Sequence, residues 1–276
     1  MSWHARLSLH YRREGDETTG HDRHEGPLRV LKRLYPEGPA VCHHVVVHPP
    51  GGVVGGDEIE IDLRLDEGAH ALVTTPGATR FYRSEGAWAR QQARLDLAEG
   101  ARLEWLPLET IVHRGARAAN AVELRLAPGA QALGWDVLAL GLPASDEAFD
   151  AGCFEQRLEL AGSWLERGLI DAADRVLLDG GPGFAGRRVL ATAWFAAGSA
   201  LPTMLRETLL EGAREAAAGD ALEPFAGATA PQPDVVLMRV LAERVEPAMA
   251  LLQRVRAAWR QAAWGLAANP PRVWRT

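Results

Sequence analysis

The chain has 276 residues, 47% of them hydrophobic, which is enough for one large domain or two small domains with a real core. A formal net charge of −6 argues against a nucleic-acid-binding protein, which would have a basic face. Two cysteines make no disulfide framework, and the sequence shows neither an apolar signal core nor a run of about 18 apolar residues, so we expect a cytoplasmic protein without a membrane partner.

Residues 42–57 are the most informative segment in the first part of the chain. A β-type run holds one cysteine and three histidines, and a turn of glycines and prolines follows it and ends on Asp57. An alternating strand at 58–65 comes next. Thiol, imidazole and carboxylate groups are ligands of transition metal ions, so this composition suggests a metal site.

The geometry of a strand limits that metal site. Side chains alternate between two faces, so Cys42, His44 and His48 share one face and His43 points the other way. At roughly 3.3 Å per residue, Cys42 and His44 lie roughly 7 Å apart, and Cys42 and His48 roughly 20 Å apart. One strand therefore offers two ligands rather than four. The segment predicts structural or transient roles rather than a closed metal cage.

The basic residues disfavour two kinds of enzyme chemistry. A phosphate-binding P-loop needs a lysine after its glycines, but the glycines at 51–56 are followed by Asp57 and Glu58. Lys32 is the only lysine in the sequence and lies in a polar run, which is an unpromising place for a Schiff base.

One strand-turn-strand pattern recurs along residues 63–165. An alternation of apolar and polar residues reaches a turn glycine, which tolerates positive φ, and a second strand begins after it. The turn glycines are Gly68, Gly100, Gly129 and, in a weaker copy, Gly162, spaced by roughly 30 residues. This spacing predicts units that stack side by side and bury their faces on one another, although Gly-Ala turns are also common in any alanine-rich protein.

Two loops between these units have chemically interesting side chains. Arg80, Tyr82 and Arg83 combine arginine with aromatic residues, which is the composition of an interface core and favours partner binding. Glu104 and Glu109 lie on opposite faces of a strand, so a general acid/base pair is not expected from them.

The last third of the chain changes to helical periodicity. We predict a helix over 203–218, a loop over 219–234, a short strand over 235–241, a second helix from 246 to 264, and an extended tail that docks through Trp274. Residues 1–200 are thus predicted as a region of stacked β units, and 201–276 as a C-terminal α/β portion with two helices.

Several longer motifs stand in a fixed order along the chain. They are Gly26-Pro27-Leu28, Tyr35-Pro36-Glu37, Cys42-His43, His48 to Asp57, Thr75 to Thr79, Phe81 to Ser84, Leu103 to Pro107, and the tail Pro271 to Trp274 with Thr276. With these motifs the chain resembles the urease accessory protein UreD (also called UreH) family nearly end to end. It departs from the family pattern at Arg80, where lysine is usual, and at Leu142, where Gly-Arg is usual.

The resemblance implies a non-enzymatic maturation factor of mainly β fold, with stacked sheets in a β-helix-like winding and helices near the C-terminus. Proteins of this family bind the urease apoprotein, recruit UreF and through it the GTPase UreG, and help to deliver nickel. The resemblance implies no tightly bound cofactor, only transient nickel, and a two-by-two assembly with UreF.

The resemblance also suggests roles for individual residues. A transfer path should offer weak ligands in series, because a cage of four good ligands would not release the ion. The residues expected along the path are Asp57, Thr79 and Glu166, together with Cys42, His43 and His48. The residues expected to bind partners are Tyr82, Arg83 and Trp274.

Two other classes of protein stay open at this point. A metal-dependent hydrolase would use the histidines and Asp57 of residues 42–57. A β-solenoid carbohydrate-binding module would need an exposed aromatic ladder, for which Trp105, Trp135 and Trp164 are the candidates.

Overall fold

The computed structural model describes residues 2–142, 145 and 147–275, and Thr276 of the tail motif lies outside the described residues. The strands are β1 His4–Glu14, β2 Glu17–Glu25, β3 Arg29–Val30, β4 Cys42–Val47, β5 Glu58–Leu65, β6 His70–Thr74, β7 Thr79–Phe81, β8 Ala89–Leu97, β9 Arg102–Leu106, β10 Thr110–Val112, β11 Arg117–Leu126, β12 Gln131–Leu140, β13 Cys153–Leu160, β14 Trp164–Asp171, β15 Val189–Ala197, β16 Ala226–Gln232 and β17 Val235–Ala242. The helices are α1 Arg175–Asp179, α2 Thr203–Ala217 and α3 Val245–Trp264, with 3-10 turns at Glu223–Phe225 and Arg272–Arg275.

The strands form two sheets that face each other. The first has the order β14-β13-β11-β8-β5-β1-β2, and the second β16-β17-β15-β12-β9-β6-β4-β3, with β10 beside β12 and β7 beside β10. Strands β5, β8, β11 and β13 run parallel in the first sheet, and β4, β6, β9 and β12 run parallel in the second. The chain crosses from the first sheet to the second in each repeated unit, which confirms the predicted mainly β, β-helix-like winding.

Stacked glycine turns join the two sheets. Gly68, Gly100 and Gly129 have φ angles of 65°, 66° and 78°, in the left-handed region that glycine adopts without strain. The backbone nitrogens of Gly68 and Gly100 lie 4.0 and 3.7 Å from the position that a Cβ on the following turn glycine would take, so each turn lies on the one before. Gly162 instead joins β13 to an antiparallel partner, β14, within the first sheet, and there the winding ends.

Two hydrophobic cores hold the layers together. The first lies between the sheets and contains Phe154 and Trp194. The second lies between the second sheet and the helices α2 and α3, and it contains Trp135 and Trp259. Burying each such ring stabilises the fold by roughly 1.5–3 kcal/mol. The outward face of the first sheet is left to solvent, and β5 accordingly alternates between buried and more exposed residues.

The C-terminal portion contains the two predicted helices, α2 and α3, and the predicted strand, β17. Residues 219–234, predicted as a loop, contain β16, because pairing with β17 gives hydrogen bonds to a segment whose own strand propensity is weak. Both β16 and β17 extend the sheet to which β15 belongs. The division of the chain near residue 200 stays a prediction.

No helix within residues 2–142, 145 and 147–275 is long and apolar enough to cross a membrane.

Candidate functional site

A cavity of about 190 Å³ lies between the sheets, beside the ends of β4 and β6. Its lining includes His48, Thr79, Arg80 and Gln91, so the structure brings two of the predicted path residues together. Burial lowers the pKa of His48, partly offset by the charge of Asp57. The neutral imidazole that results has a free lone pair for a metal ion.

Behind the cavity, polar side chains continue through the core between the sheets. Gln91, Asn120 and Gln156 are adjacent in register on β8, β11 and β13 of the first sheet. Gln91 Nε2 donates to Asn120 Oδ1 at 3.2 Å, and Asn120 Nδ2 donates to Asp136 Oδ2, on the second sheet, at 2.9 Å. Burial raises the pKa of Asp136 to about 6, while the hydrogen bond from Asn120 and the nearby amide of Gln156 act in the opposite direction.

These polar side chains continue across the second sheet to the edge where β17 faces β14. Asp136 is in register with Thr192 on β15, and Thr192 with Arg239 on β17. The Arg239 guanidinium binds the carboxylate of Glu166 on β14. We call these side chains the polar layer: Gln91, Asn120, Gln156, Asp136, Thr192, Arg239 and Glu166. It spans three strand spacings of the first sheet, roughly 14 Å, between the cavity and Glu166.

Asp57 holds the glycine turn rather than facing the cavity with a free oxygen. Its Oδ1 accepts from the backbone nitrogen of Trp3 at 2.8 Å, and its Oδ2 accepts from that of Val54 at 2.9 Å. The residue is 3% exposed. Both oxygens therefore have a structural partner, and its predicted place on the transfer path stays a prediction.

Cys42 and His43 point away from each other, as the strand alternation predicts. Cys42 is buried in the core between the sheets, and burial raises the pKa of its thiol despite a hydrogen bond with Tyr35. His43 Nε2 lies 2.8 Å from Glu37 Oε1 on the opposite side of β4. Neither side chain lines the cavity. Within the described residues, no group of three or more His, Cys, Asp or Glu side chains is arranged to hold a metal ion.

A buried charge network under α3 contains Glu104 and was not predicted from the sequence, where Glu104 stood out only as half of a candidate acid/base pair. Glu104 is fully buried, with Oε2 2.7 Å from Arg256 Nε and Oε1 3.0 Å from Arg260 Nε. Arg260 Nη2 lies 2.6 Å from Glu37 Oε2, which connects the network to His43. The sequence does contain a signal for this network. Positions 256 and 260 are arginines on the apolar stripe of the predicted helix, and a buried arginine rarely lacks a charged partner.

The predicted partner-binding residues lie in two different environments. Tyr82 is 37% exposed, and its ring stacks on that of His113 at 4.8 Å beside the cavity. Arg83 is exposed on the same loop. Trp274 instead docks on the second sheet, where its Nε1 donates to Thr74 Oγ1 at 2.8 Å and its ring lies 5.3 Å from that of Trp135. The tail is therefore anchored within the chain itself.

Two of the tryptophans proposed for a carbohydrate ladder are buried, and the third is partly buried. Trp105 and Trp135 are 5% and 1% exposed, and Trp164 packs against the core between the sheets. Without exposed stacked rings on these strands, the carbohydrate-binding module has no support from the residues that suggested it.

Comparison with known proteins gives concordant matches along the chain. A family model described as UreD urease accessory protein matches residues 4–275. A protein of Leptothrix cholodnii named urease accessory protein UreD is 59% identical over 278 residues, covering 100% of both chains. Proteins of the same name from Paracidovorax citrulli and Variovorax paradoxus are 56% and 52% identical, covering 99% and 100% of both chains respectively.

Proposed function

The chain belongs to the UreD family of urease accessory proteins and has a role in urease maturation, and we propose that in this role it is a non-catalytic scaffold through which nickel passes to urease. The observation that supports this proposal is the polar layer. It links the cavity lined by His48 and Thr79 to Glu166, and these are three of the residues expected along a transfer path.

The stability of the fold does not explain why the polar layer lies in the core between the sheets. Polar groups in the core of a β-sandwich stabilise it less than apolar side chains of the same size, and they cost free energy wherever a group stays unpaired. Asp136 Oδ1 is such a group, since it has no hydrogen-bond donor among the described residues. A passage for a cation is a function that would retain these side chains.

The side chains of the layer suit a borderline cation in transit. Nickel binds imidazole nitrogen and carboxylate or amide oxygen; His48 of the cavity has the imidazole, and the layer has the carboxylates and amides. They are arranged in series rather than converging on one point, so each contact is weak and the ion is able to move on. Asp136, with a pKa near 6, is mostly a carboxylate at neutral pH and is therefore able to bind the ion there.

Protein partners complete the proposal. The exposed loop at Arg80, Tyr82 and Arg83 lies beside the cavity, and it is the surface we assign to contact with UreF or the urease apoprotein. GTP hydrolysis belongs to UreG in this scheme, because the glycine turn before Asp57 lacks the lysine of a P-loop. The complex would form in the cytoplasm.

The experiment compares two neighbouring residues of β8. Gln91 faces the polar layer, whereas Gln92 faces outward and accepts a hydrogen bond from Arg94 at 3.0 Å. Variants Gln91→Leu, Asn120→Leu and Gln92→Leu are co-expressed with urease and its other accessory proteins, and the nickel content of purified urease is measured. We expect the first two to lower nickel content and Gln92→Leu to leave it unchanged, with all three complexes intact on co-purification. Full nickel loading with Gln91→Leu and Asn120→Leu would refute the passage.

A further inference from the structure

The polar layer ends at an edge where the two sheets face each other directly. Ser163 Oγ donates to Asp234 Oδ1 at 2.6 Å, so the turn before β14 touches the turn before β17. Further along these strands, the Arg239 guanidinium and the Glu166 carboxylate form an ion pair across the gap between the sheets. Their side chains are 45% and 33% exposed. The pair therefore stands between the buried part of the layer and the solvent.

Two glycines leave space beside this ion pair. Gly168 is in register with Gln156 of the layer, and Gly227 is in register with Arg239. A Cβ built on either glycine would meet nothing within 4 Å. The side chains of Glu166 and Arg239 therefore close the end of the polar layer at this level of the two sheets.

Apolar residues flank the same place on both strands. Trp164 and Ile170 lie on either side of Glu166 and Gly168 along β14, and Leu237 and Leu241 lie on either side of Arg239 along β17. All four pack into the core between the sheets. The polar gap at Glu166 and Arg239 is therefore narrow, and a cation that leaves the layer at this edge must pass the guanidinium.

An arginine in this position competes with a metal ion for the carboxylate. Guanidinium is always protonated and has no acceptor atom, so Arg239 is unable to become a ligand and repels a divalent cation. A half-exposed ion pair of this kind contributes little to stability, and its long side chains reorient rapidly. These are the properties of a movable barrier rather than of a structural link.

We propose that Arg239 is the gate of the nickel passage at this edge: it neutralises Glu166 and closes the layer until it swings aside. This inference rests on the proposed function. Removing the guanidinium frees Glu166 and lowers the electrostatic barrier for a divalent ion, so exchange of nickel with the solvent becomes faster in both directions.

The test uses the full chain, Ni²⁺ as the probe and a coloured chelator. Arg239→Gln removes the charge and retains a polar, although shorter, side chain. Arg167→Gln is the matched control, because Arg167 is next to Glu166 on β14, faces outward and binds Glu155 at 2.7 Å. We expect Arg239→Gln to raise severalfold both the rate of Ni²⁺ uptake and the rate of its loss to excess chelator. Arg167→Gln should leave both rates at the wild-type value, and Arg239→Lys, which keeps the charge, should stay close to it.

Asn120→Leu distinguishes failure of the gate from failure of the passage. If Asn120→Leu changes Ni²⁺ exchange and Arg239→Gln does not, the gate is wrong and the passage stands. If neither variant changes it, both proposals are wrong. Equal acceleration by Arg239→Gln and Arg167→Gln would show a general effect of net charge and would also overturn the gate.

Discussion

Glu104 and Arg256, 152 positions apart in the sequence, form a buried ion pair in which Glu104 Oε2 lies 2.7 Å from both Nε and Nη2 of the arginine. Arg260, one helical turn further along α3, binds the other carboxylate oxygen. The two arginines also donate to the carbonyl oxygens of Asn269 and Ala267. One carboxylate thus fixes α3 and the following tail to the outer face of the second sheet.

Glu104→Gln is expected to destabilise the protein strongly. The amide keeps the shape of the side chain but leaves the guanidinium groups of Arg256 and Arg260 buried with less compensating charge. Breaking a buried pair in this way costs about 3–5 kcal/mol of unfolding free energy. Urea denaturation measures the loss, and Glu109→Gln, on a half-buried glutamate in the loop between β9 and β10, should change stability by less than about 0.5 kcal/mol. Equal midpoints for the two variants would contradict a stabilising role for the network.

His70 makes part of the stability of the fold depend on pH. Burial first, then the charges of Arg260 and Arg102, lowers its pKa from 6.5 to about 3. The His70 imidazole therefore binds a proton near pH 6.5 in the unfolded chain, but only near pH 3 in the folded chain. The stabilising contribution of neutral His70 is complete above pH 6.5 and is lost as the pH falls from 6.5 towards 3.

His70→Phe should flatten this acid dependence. Phenylalanine keeps an aromatic ring beside Trp264, which the imidazole contacts edge-on at 5.1 Å, but does not titrate. The unfolding free energy of the variant is expected to fall less steeply than that of the wild type between pH 6.5 and 3. Urea denaturation at several pH values measures the slope. His21→Phe, on an exposed histidine of β2, is the control and should retain the wild-type slope.

Substitutions of Asp57 separate a structural role from direct contact with nickel. Asp57→Ala removes the acceptor of two backbone N–H groups and should destabilise the protein by roughly 1–3 kcal/mol. Asp57→Asn keeps one oxygen acceptor, so we expect intermediate stability and nearly full nickel loading of urease. A loss of nickel loading with Asp57→Asn, at wild-type thermal stability, would show instead that the carboxylate itself serves the transfer.

The stacked units were predictable because each repeats the same local signals. An alternating strand and a glycine that must adopt positive φ recur at Gly68, Gly100 and Gly129, and those signals need no knowledge of distant residues. The winding of the chain follows from them. The helices α2 and α3 were predictable for the same reason, since their periodicity is local.

The polar layer and the charge network were not predictable in this way. Gln91 and Gln92 are adjacent and chemically identical, and only the pairing of β8 with its neighbours decides which one faces the core. Glu104 likewise has its partners on a helix 152 positions away. Residues that come together only through strand register or long-range contacts look like ordinary polar residues in the sequence.

Asp136 gives a prediction in which stability and function change in opposite directions. Burial raises the pKa of its carboxyl from 3.8 to about 6, so the folded chain keeps a proton that the unfolded chain has already lost. The stability due to protonated Asp136 is therefore complete below pH 3.8 and is lost as the pH rises through 6. Above that range the protein folds with a buried and incompletely paired carboxylate.

Asp136→Asn removes this cost, because the amide is neutral at every pH and retains an oxygen that accepts from Asn120. The variant should match the wild type near pH 4 and be more stable at pH 7 by an amount on the order of 2–3 kcal/mol. It should also load less nickel into urease, since an amide binds a divalent cation more weakly than a carboxylate does. Urea denaturation at the two pH values and the nickel content of co-expressed urease measure the two effects. A variant that is more stable at pH 7 and yet loads urease fully would show that Asp136 is no part of the passage, whereas gain of stability with loss of loading is the trade-off expected of a buried functional charge.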